Sequence, residues 1–302
     1  MRPALLAVGP MTFTPVQWRI RTCTLTTADH TLIMGVLNVT PDSFSDGGRL
    51  GDVGAAVAEG LRLWGDGADI VDVGGESTRP GARPVAAAEE AERVVPVVRR
   101  LVEEGVVVSV DTSKPVVAEA ALAAGAEVVN DISAFRDPDM ARVCAAAGAG
   151  VVLMHMRGTP ADMQDDPRYD DVVAEVAAAL ASAAATAAAA GIEPVRIAID
   201  PGIGFGKTYA DNLALLAGLG RFVASGHPVV VGASRKRFLG WILERAGHPA
   251  PPAGRDAATG ATTVRAVDAG VAVVRVHNVA SALQVARTAD AIVRSRSDEQ
   301  TE

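Results

Sequence analysis

Short, continuously apolar runs recur along the chain from about residue 33 onward, and each is followed by a longer stretch with helical spacing. Continuous rather than alternating apolar runs are typical of parallel strands covered on both faces. We predict eight strands: Ile33–Asn38, Ile70–Gly74, Val106–Asp111, Val128–Ile132, Val151–Met156, Ile197–Asp200, Val229–Gly232 and Val273–His277. Eight strands that alternate with helices predict an α/β fold, a (β/α)8 TIM barrel.

Alanine-rich segments separate these strands. The predicted helices include Val53–Asp66, Ala86–Glu104, Pro115–Ala124, Pro138–Ala147 and Asp171–Ala190. Asp137 is a natural N-cap in front of Pro138, and Gly191 is a good residue to end the fifth of these helices. The low complexity of that fifth segment indicates strong helix propensity, because alanine is the best helix former.

The barrel pattern sets the boundaries of one predicted domain, residues 31–292. Residues 1–30 include the alternating run "VQWRIRTCTL", which predicts a short N-terminal hairpin that plugs the bottom of the barrel. The polar ending "RSRSDEQTE" predicts a frayed tail over residues 293–302.

Composition narrows the function classes. The 302 residues are 49% hydrophobic, and 28 basic against 36 acidic side chains give a net charge of −8, which argues against nucleic acid as a partner.

Cys23 and Cys144 fit no metal spacing and indicate reduced thiols in the cytoplasm. The start "MRPALLAVGPMTF" is too short and interrupted for a secretory signal, and we expect no membrane association, since no apolar run approaches about 18 residues.

Polar residues stand at the end of every predicted strand. In a parallel barrel these carboxyl ends meet at one mouth, where ligands bind. A single strand-end aspartate is often a turn residue, but eight polar strand ends together predict a binding site. Its candidate residues are Asn38, Asp72, Glu76, Asp111, Asn130, Asp131, His155, Asp200, Lys236, Arg275 and His277.

The segment "GIGFGKT" at 202–208 superficially resembles a phosphate loop. The pattern G-x-x-x-x-G-K-T requires glycine at position 201, which is Pro201, so nucleotide binding is not predicted. The basic cluster Arg235, Lys236 and Arg237 follows the seventh strand at the start of a helix, a position suited to an anionic group.

Taken in chain order, the strand-end motifs resemble those of the dihydropteroate synthase family across about residues 32 to 290. They are "MGVLNVTPDSFSDGG", "DVGGESTRPGA", "SVDTSKP", "VNDIS", "LMHMRGTP", "DPGIGFGK", "VGASRKRFLG" and "RVHNV". The resemblance implies a pterin-binding TIM barrel that condenses 4-aminobenzoate with a dihydropterin methyl diphosphate, releasing pyrophosphate, as a folate-synthesis transferase. It also implies a Mg²⁺ requirement, a homodimer and competition by sulfonamides.

The resemblance implies a pterin pocket built from Thr78, Asp111, Asn130, Asp200 and Lys236. A pterin ring presents an amide edge with adjacent donors and an acceptor. A buried carboxylate accepts two N–H groups from such an edge, and an asparagine both donates and accepts. Asp200 is expected to hold the edge, while Lys236 reaches the ring carbonyl.

Pyrophosphate is expected at Arg275, His277 and Asn38. Arg275 and His277 alternate on the eighth strand and therefore point to the same side. TIM barrels often bind phosphate near the loops after strands seven and eight. Asn38 is the candidate metal ligand, because Mg²⁺ commonly takes substrate oxygens and waters besides one protein oxygen.

For the aminobenzoate, the resemblance implies an aromatic slot and a carboxylate receiver, formed by Phe44, Thr78, Pro80, Phe205, Ser234 and Arg235. Catalytic roles fall to Asp111 and Lys236 in the pocket and to Asp46 and Arg79 on two loops. Carboxylates near a ring-stabilised cation would favour departure of the diphosphate.

Two alternatives stay open. A folate methyltransferase domain shares the Asp and Asn pattern but needs no pyrophosphate receiver, whereas Arg275, His277 and Lys236 are all present. A non-catalytic pterin-binding paralogue would have lost loop residues, whereas "NVTPDSFSDGG" and "GGESTRPGA" are whole. Three positions depart from the family pattern: Ile203, Arg237 and Asn278.

Overall fold

Eight parallel strands form the centre of the protein. The computed structural model describes residues 15–40, 48–78, 81–82 and 84–298. The strands are β3 (Leu32–Asn38), β4 (Ile70–Gly74), β5 (Val108–Asp111), β6 (Val128–Asp131), β7 (Gly150–Met154), β8 (Ile197–Asp200), β9 (Val230–Val231) and β10 (Val273–Val276). They pair in the order β8-β7-β6-β5-β4-β3-β10-β9, and a bridge from Ile199 to Val229 brings β8 beside β9. The predicted barrel is confirmed.

Helices cover the outside of this barrel. They are α1 (Gly48–Gly65), α2 (Ala87–Glu103), α3 (Pro115–Ala123), α4 (Pro138–Ala147), α5 (Val172–Ala189), α6 (Tyr209–Ala217), α7 (Leu219–Val223), α8 (Arg237–Arg245), α9 (Asp256–Asp268) and α10 (Val279–Asp298). The five predicted helices are confirmed, although α1 begins earlier than expected. Asp137 caps α4 by accepting from the Asp139 N–H at 3.0 Å.

An antiparallel hairpin of β1 (Gln17–Arg19) and β2 (Thr24–Thr26) lies at the amino ends of the barrel strands. Trp18 and Ile20 are fully buried against inward-facing side chains such as Met34 and Ile70. The Trp18 indole N–H donates to the Arg196 carbonyl at 2.9 Å. The predicted plug of the barrel bottom is therefore present.

The last helix extends into the segment predicted as a frayed tail. α10 continues to Asp298, whereas 299–302 lie outside the described residues, and the fraying of this tail stays a prediction. Buried Asp290 accepts from the Thr31 N–H at 2.9 Å and hydroxyl at 2.8 Å. Arg294 donates to the Thr27 carbonyl at 2.9 Å, which ties the end of the helix to the chain leading into β3.

Within the described part of the chain, α5 is the one helix long and apolar enough to cross a membrane by length and composition. A stripe of this helix that includes Val172, Val176 and Leu180 is buried, and the remaining face is largely exposed. Such a stripe is the pattern of a helix that packs on a barrel.

Candidate active site

Four polar side chains from four strands meet inside the barrel mouth. Arg275 of β10 donates from Nε to Asp72 Oδ2 and from Nη2 to Asp111 Oδ2, each at 2.6 Å. Asn130 of β6 donates to the same Asp72 oxygen at 3.0 Å. Asp72 is completely buried. One guanidinium and one amide thus fix two carboxylates on neighbouring strands.

Burial controls the charges of this cluster. It raises the pKa of Asp111 to about 7, against the opposing effect of Arg275 and with a further rise from the charge of Asp72. Burial alone would lower the pKa of Arg275, but its two carboxylate partners raise it, so the guanidinium stays charged. Asp72 Oδ1 is buried and has no hydrogen-bond partner among the described residues. The cluster therefore holds more carboxylate acceptors than donors.

Asp200 and Lys236 form the opposite side of the mouth. Asp200 Oδ1 accepts from the Gly202 N–H at 2.7 Å. Burial raises the pKa of Asp200, while the nearby Lys236 ammonium lowers it. Burial also lowers the pKa of Lys236 to about 7. Lys236 donates to the Ile203 carbonyl, and its Nζ lies 4.3 Å from the centre of the Phe205 ring.

The loop after β8 is shaped by close backbone approaches. Gly202 has φ +68°, and a Cβ added there would lie 1.9 Å from the His155 carbonyl oxygen. Gly206 has φ +60°, and a Cβ there would lie 2.6 Å from the Arg157 carbonyl oxygen. These glycines therefore bring the loop against the β7 strand end instead of cradling phosphate, which agrees with the rejection of a nucleotide site.

Sequence reasoning missed a buried lysine in this loop. Lys207 is 2% exposed and donates to the Phe205 carbonyl at 2.9 Å and the His155 carbonyl at 3.3 Å. Its Nζ also lies 3.1 Å from His155 Nδ1. Burial and the Lys207 charge lower the pKa of His155 to about 3, so the imidazole is neutral and can accept. The signal in the sequence is the lysine of "GFGK", which follows a glycine-rich turn at the end of a barrel strand.

Ser234 joins the segments that follow β9 and β10. Its hydroxyl oxygen accepts from the His277 N–H at 3.2 Å and lies 3.0 Å from His277 Nδ1. Arg235 forms a two-point ion pair with Asp256 of α9, at 2.7 and 2.8 Å. This pair turns the Arg235 guanidinium toward α9, and its contact with an aminobenzoate carboxylate stays a prediction. Asn278 donates to Asp256 at 2.8 Å, so the amide supports the ion pair where an acid would repel it.

The remaining predicted residues divide into described and undescribed positions. Asn38 ends β3 at the mouth and is half-buried, and Thr78 is half-buried four residues beyond Gly74, where β4 ends. Ile203, a departure from the family pattern, is buried in the hydrophobic core. Phe44, Asp46, Arg79 and Pro80 lie outside the described residues.

Two strand-end acids do not face the mouth cluster. Asp131 accepts from the Ser133 N–H and hydroxyl, each at 2.7 Å, and from the Phe135 N–H at 2.9 Å. It therefore closes the turn after β6, while its neighbour Asn130 points inward. Glu76 accepts from Lys114 at 2.7 Å and from the Val85 N–H at 2.8 Å. Both acids have structural partners of their own.

Comparison with known proteins gives the site its context. The family model described as "Pterin binding enzyme" matches residues 34–277. A dihydropteroate synthase of Mycobacterium leprae is 49% identical over 262 residues, covering 86% of this chain and 92% of that protein. The dihydropteroate synthase of Bacillus subtilis is 43% identical over 267 residues, covering 88% and 90%. The chain belongs to the dihydropteroate synthase family of pterin-binding enzymes.

Solved structures agree with the family assignment. A Xanthomonas albilineans dihydropteroate synthase with 4-aminobenzoic acid has a TM-score of 0.85 and 46% identity, covering 92% of this chain and 98% of that one. A complex of the Xanthomonas albilineans synthase with 7,8-dihydropteroate has a TM-score of 0.81 and 42% identity, with 91% and 98% covered. A Yersinia pestis dihydropteroate synthase with a sulfonamide drug has a TM-score of 0.85 and 39% identity, with 92% and 99% covered. The family resemblance of the sequence motifs is thereby confirmed.

Proposed function

We propose that the chain catalyses the reaction for which its family is named. It condenses 4-aminobenzoate with (7,8-dihydropterin-6-yl)methyl diphosphate to give 7,8-dihydropteroate and pyrophosphate, a transferase reaction of folate biosynthesis. The observation that carries this proposal is the meeting of partly buried Asp111 and buried Asp200 with Asn130 and Lys236 at one barrel mouth.

These four groups match the edge of a pterin ring. A carboxylate in a dry pocket accepts two parallel N–H bonds, and these bonds are strong because they are charge-assisted. Asp200 offers this arrangement, since one oxygen is already held by the Gly202 N–H. Asn130 is oriented by its bond to Asp72, which leaves the amide oxygen to accept from the ring.

The charged side chains of the mouth are suited to a reaction in which a positively charged ring separates from a negatively charged diphosphate. The bond between the methylene carbon and the diphosphate oxygen breaks with its electron pair going to oxygen, and the arylamine nitrogen then bonds to carbon and gives a proton to water. Carboxylates at Asp72 and Asp111 stabilise positive charge on the ring. The arylamine attacks as a neutral nucleophile, so no strong general base is required of the protein.

The departing diphosphate needs cations. Arg275 lies on the strand next to Asn38, and its Nη1 takes part in neither of its ion pairs with Asp72 and Asp111. His277 is two residues further along, held by Ser234. Together they form an anion-binding edge beside the pterin pocket.

Mg²⁺ fits this edge as a cation shared with the substrate. Within the described residues, no group of three or more His, Cys, Asp or Glu side chains could hold a metal ion by itself. One amide oxygen from Asn38 suffices for Mg²⁺ that keeps waters and takes diphosphate oxygens as its other ligands. When bound, the ion neutralises negative charge on the leaving group.

The aminobenzoate ring is expected against Phe205, whose carbonyl is held by Lys207 and whose ring lies beside Lys236. Thr78 lies on the neighbouring loop, and Ser234 lies at the start of the β9–α8 turn. The homodimer and the cytoplasmic location stay predictions from the family resemblance and the composition.

The test is pyrophosphate release. Folded protein with dihydropterin diphosphate and Mg²⁺ is expected to release pyrophosphate in amounts that depend on added 4-aminobenzoate and match the dihydropteroate formed. Omission of Mg²⁺ and omission of aminobenzoate are the paired controls. A protein that binds the pterin but shows no aminobenzoate-dependent release would be the non-catalytic paralogue, and the proposal would be refuted.

A further inference from the structure

A second ionic cluster lies beside the pocket and is not used by the reaction described above. Lys114, three residues beyond Asp111, donates to Glu76 Oε2 at 2.7 Å and also to Glu90 Oε2. Glu76 follows β4, Glu90 lies in the first turn of α2, and Lys114 is the N-cap residue of α3. We propose that Lys114 is a positioning residue that fixes the base of the β4–α2 connection, and with it Thr78, for aminobenzoate.

Glu76 ties together the two ends of this connection. Its Oε1 accepts from the Val85 N–H at 2.8 Å, while Oε2 accepts from Lys114. A single carboxylate therefore bridges positions 76 and 85 across the connection, and the ammonium sets where that carboxylate lies. Thr78, two residues from Glu76, is positioned from this anchor.

The base of the connection is packed tightly on α2. A Cβ added to Gly75 would lie 2.7 Å from Val94 Cγ2 and 2.9 Å from Glu90 Cγ. Arg93 of α2 donates to the Gly75 carbonyl at 3.3 Å. Since the backbone is already packed closely on α2, loss of the ionic anchor is expected to move it away from α2.

Electrostatics make the ammonium necessary for this geometry. Glu90 is 1% exposed and its Oε1 has no hydrogen-bond partner among the described residues. Burial alone would lower the pKa of Lys114, but Glu76 and Glu90 raise it above its ordinary value. Without the ammonium, two carboxylates would face each other, one of them buried, and removing one partner from a buried ion pair is strongly destabilising.

The inference rests on the proposed function, and it predicts a specific kinetic pattern. Lys114→Met should raise the aminobenzoate KM on the order of tenfold, since interactions that position one substrate appear in KM. Pterin affinity should change less than about twofold, because Asp200, Asn130 and Lys236 provide most of the pterin contacts and Thr78 is the one predicted pterin residue that the variant would displace. Lys114→Arg keeps the cation and should restore most of the aminobenzoate affinity.

Three further variants separate positioning from general damage. Lys114→Met/Glu90→Gln removes the facing charges and should recover part of the loss, because one carboxylate no longer repels the other. Glu76→Gln keeps an acceptor for Val85 but weakens the ion pair, and it serves as the test if Lys114→Met fails to fold. Arg142→Met on α4 removes a highly exposed partner of Asp139 and is the matched control.

The outcomes are distinguishable by measuring aminobenzoate KM and, by titration, pterin affinity on the same preparations. Wild-type protein that forms no dihydropteroate would refute the proposed function. Active wild type with an unchanged aminobenzoate KM in Lys114→Met, or in Glu76→Gln if Lys114→Met does not fold, would overturn the role of Lys114. Equal losses of pterin and aminobenzoate affinity, without rescue by arginine, would also overturn it.

Discussion

The bottom and the mouth of the barrel use the same strands in opposite ways. On β4 the inward residue is Ile70 at the bottom and Asp72 two positions later, and on β8 it is Ala198 and then Asp200. Successive inward residues in a strand are two apart. A single such step therefore takes the barrel interior from an apolar core, sealed by Trp18, to a cluster of charges.

This difference separates stability from function. The bottom contributes apolar burial, which stabilises the fold in proportion to area. The mouth contains buried carboxylates whose pKa values are raised by burial, which is unfavourable unless partners such as Arg275 remain. We therefore expect changes at the bottom to alter stability alone, and changes at the mouth to alter binding and pH dependence.

The largest expected effect is on stability at the bottom. Trp18→Ala should lower the free energy of unfolding by about 3 to 5 kcal/mol, since it leaves a cavity and removes the indole bond to Arg196. Protein that remains folded should keep its aminobenzoate KM. Denaturant unfolding and steady-state kinetics on one preparation measure both quantities.

The matched control for this variant is Trp64→Ala. Trp64 lies on α1 and is 46% exposed, so its truncation should change the free energy of unfolding by less than about 1 kcal/mol. Equal destabilisation by the two variants would show that the hairpin does not seal the core.

The next effect concerns pH at the mouth. The pKa of Asp111 is raised to about 7 in the folded protein, against 3.8 as the ordinary value. Between these values the folded state binds the proton more tightly than the unfolded state, so this group makes stability fall as pH rises from about 4 to 7.

Asp111→Asn removes that contribution. As pH rises from about 4 to 7, the free energy of unfolding of wild type should therefore fall relative to that of the variant. The slope of this difference is at most about 1.4 kcal/mol per pH unit. The free energy of unfolding of Trp18→Ala should depend on pH as it does in wild type. A pH-independent difference between wild type and Asp111→Asn would mean that the carboxyl titrates at its ordinary value when folded.

The sequence predicted the strands and the inward direction of the mouth residues because apolar runs and strand periodicity are local signals. It placed Asp72, Asp111, Asn130 and Arg275 at one mouth correctly for the same reason. It could not assign their partners, since the Arg275 contacts with Asp72 and Asp111 join residues far apart in the chain.

Other misses have the same origin. Asn130 faces the pocket, whereas its neighbour Asp131 closes a turn through hydrogen bonds to Ser133 and Phe135. The pattern of residue types alone does not distinguish an aspartate that closes a turn from one that binds a ligand. The continuation of α10 to Asp298 was not predicted from the polar residues of this segment, because the tertiary contact between Arg294 and the Thr27 carbonyl is not a local signal.

The most direct test of the account is a titration of the pterin substrate into two aspartate variants, one at the end of β8 and one at the end of β6. Asp200→Asn changes a double acceptor at the mouth into a mixed donor and acceptor, and it should weaken pterin binding by more than about tenfold. Asp131→Asn alters a buried strand-end aspartate that closes a turn. Folded Asp131→Asn should bind the pterin as wild type does, whereas unchanged affinity in Asp200→Asn would contradict the assignment of the mouth as the pterin site.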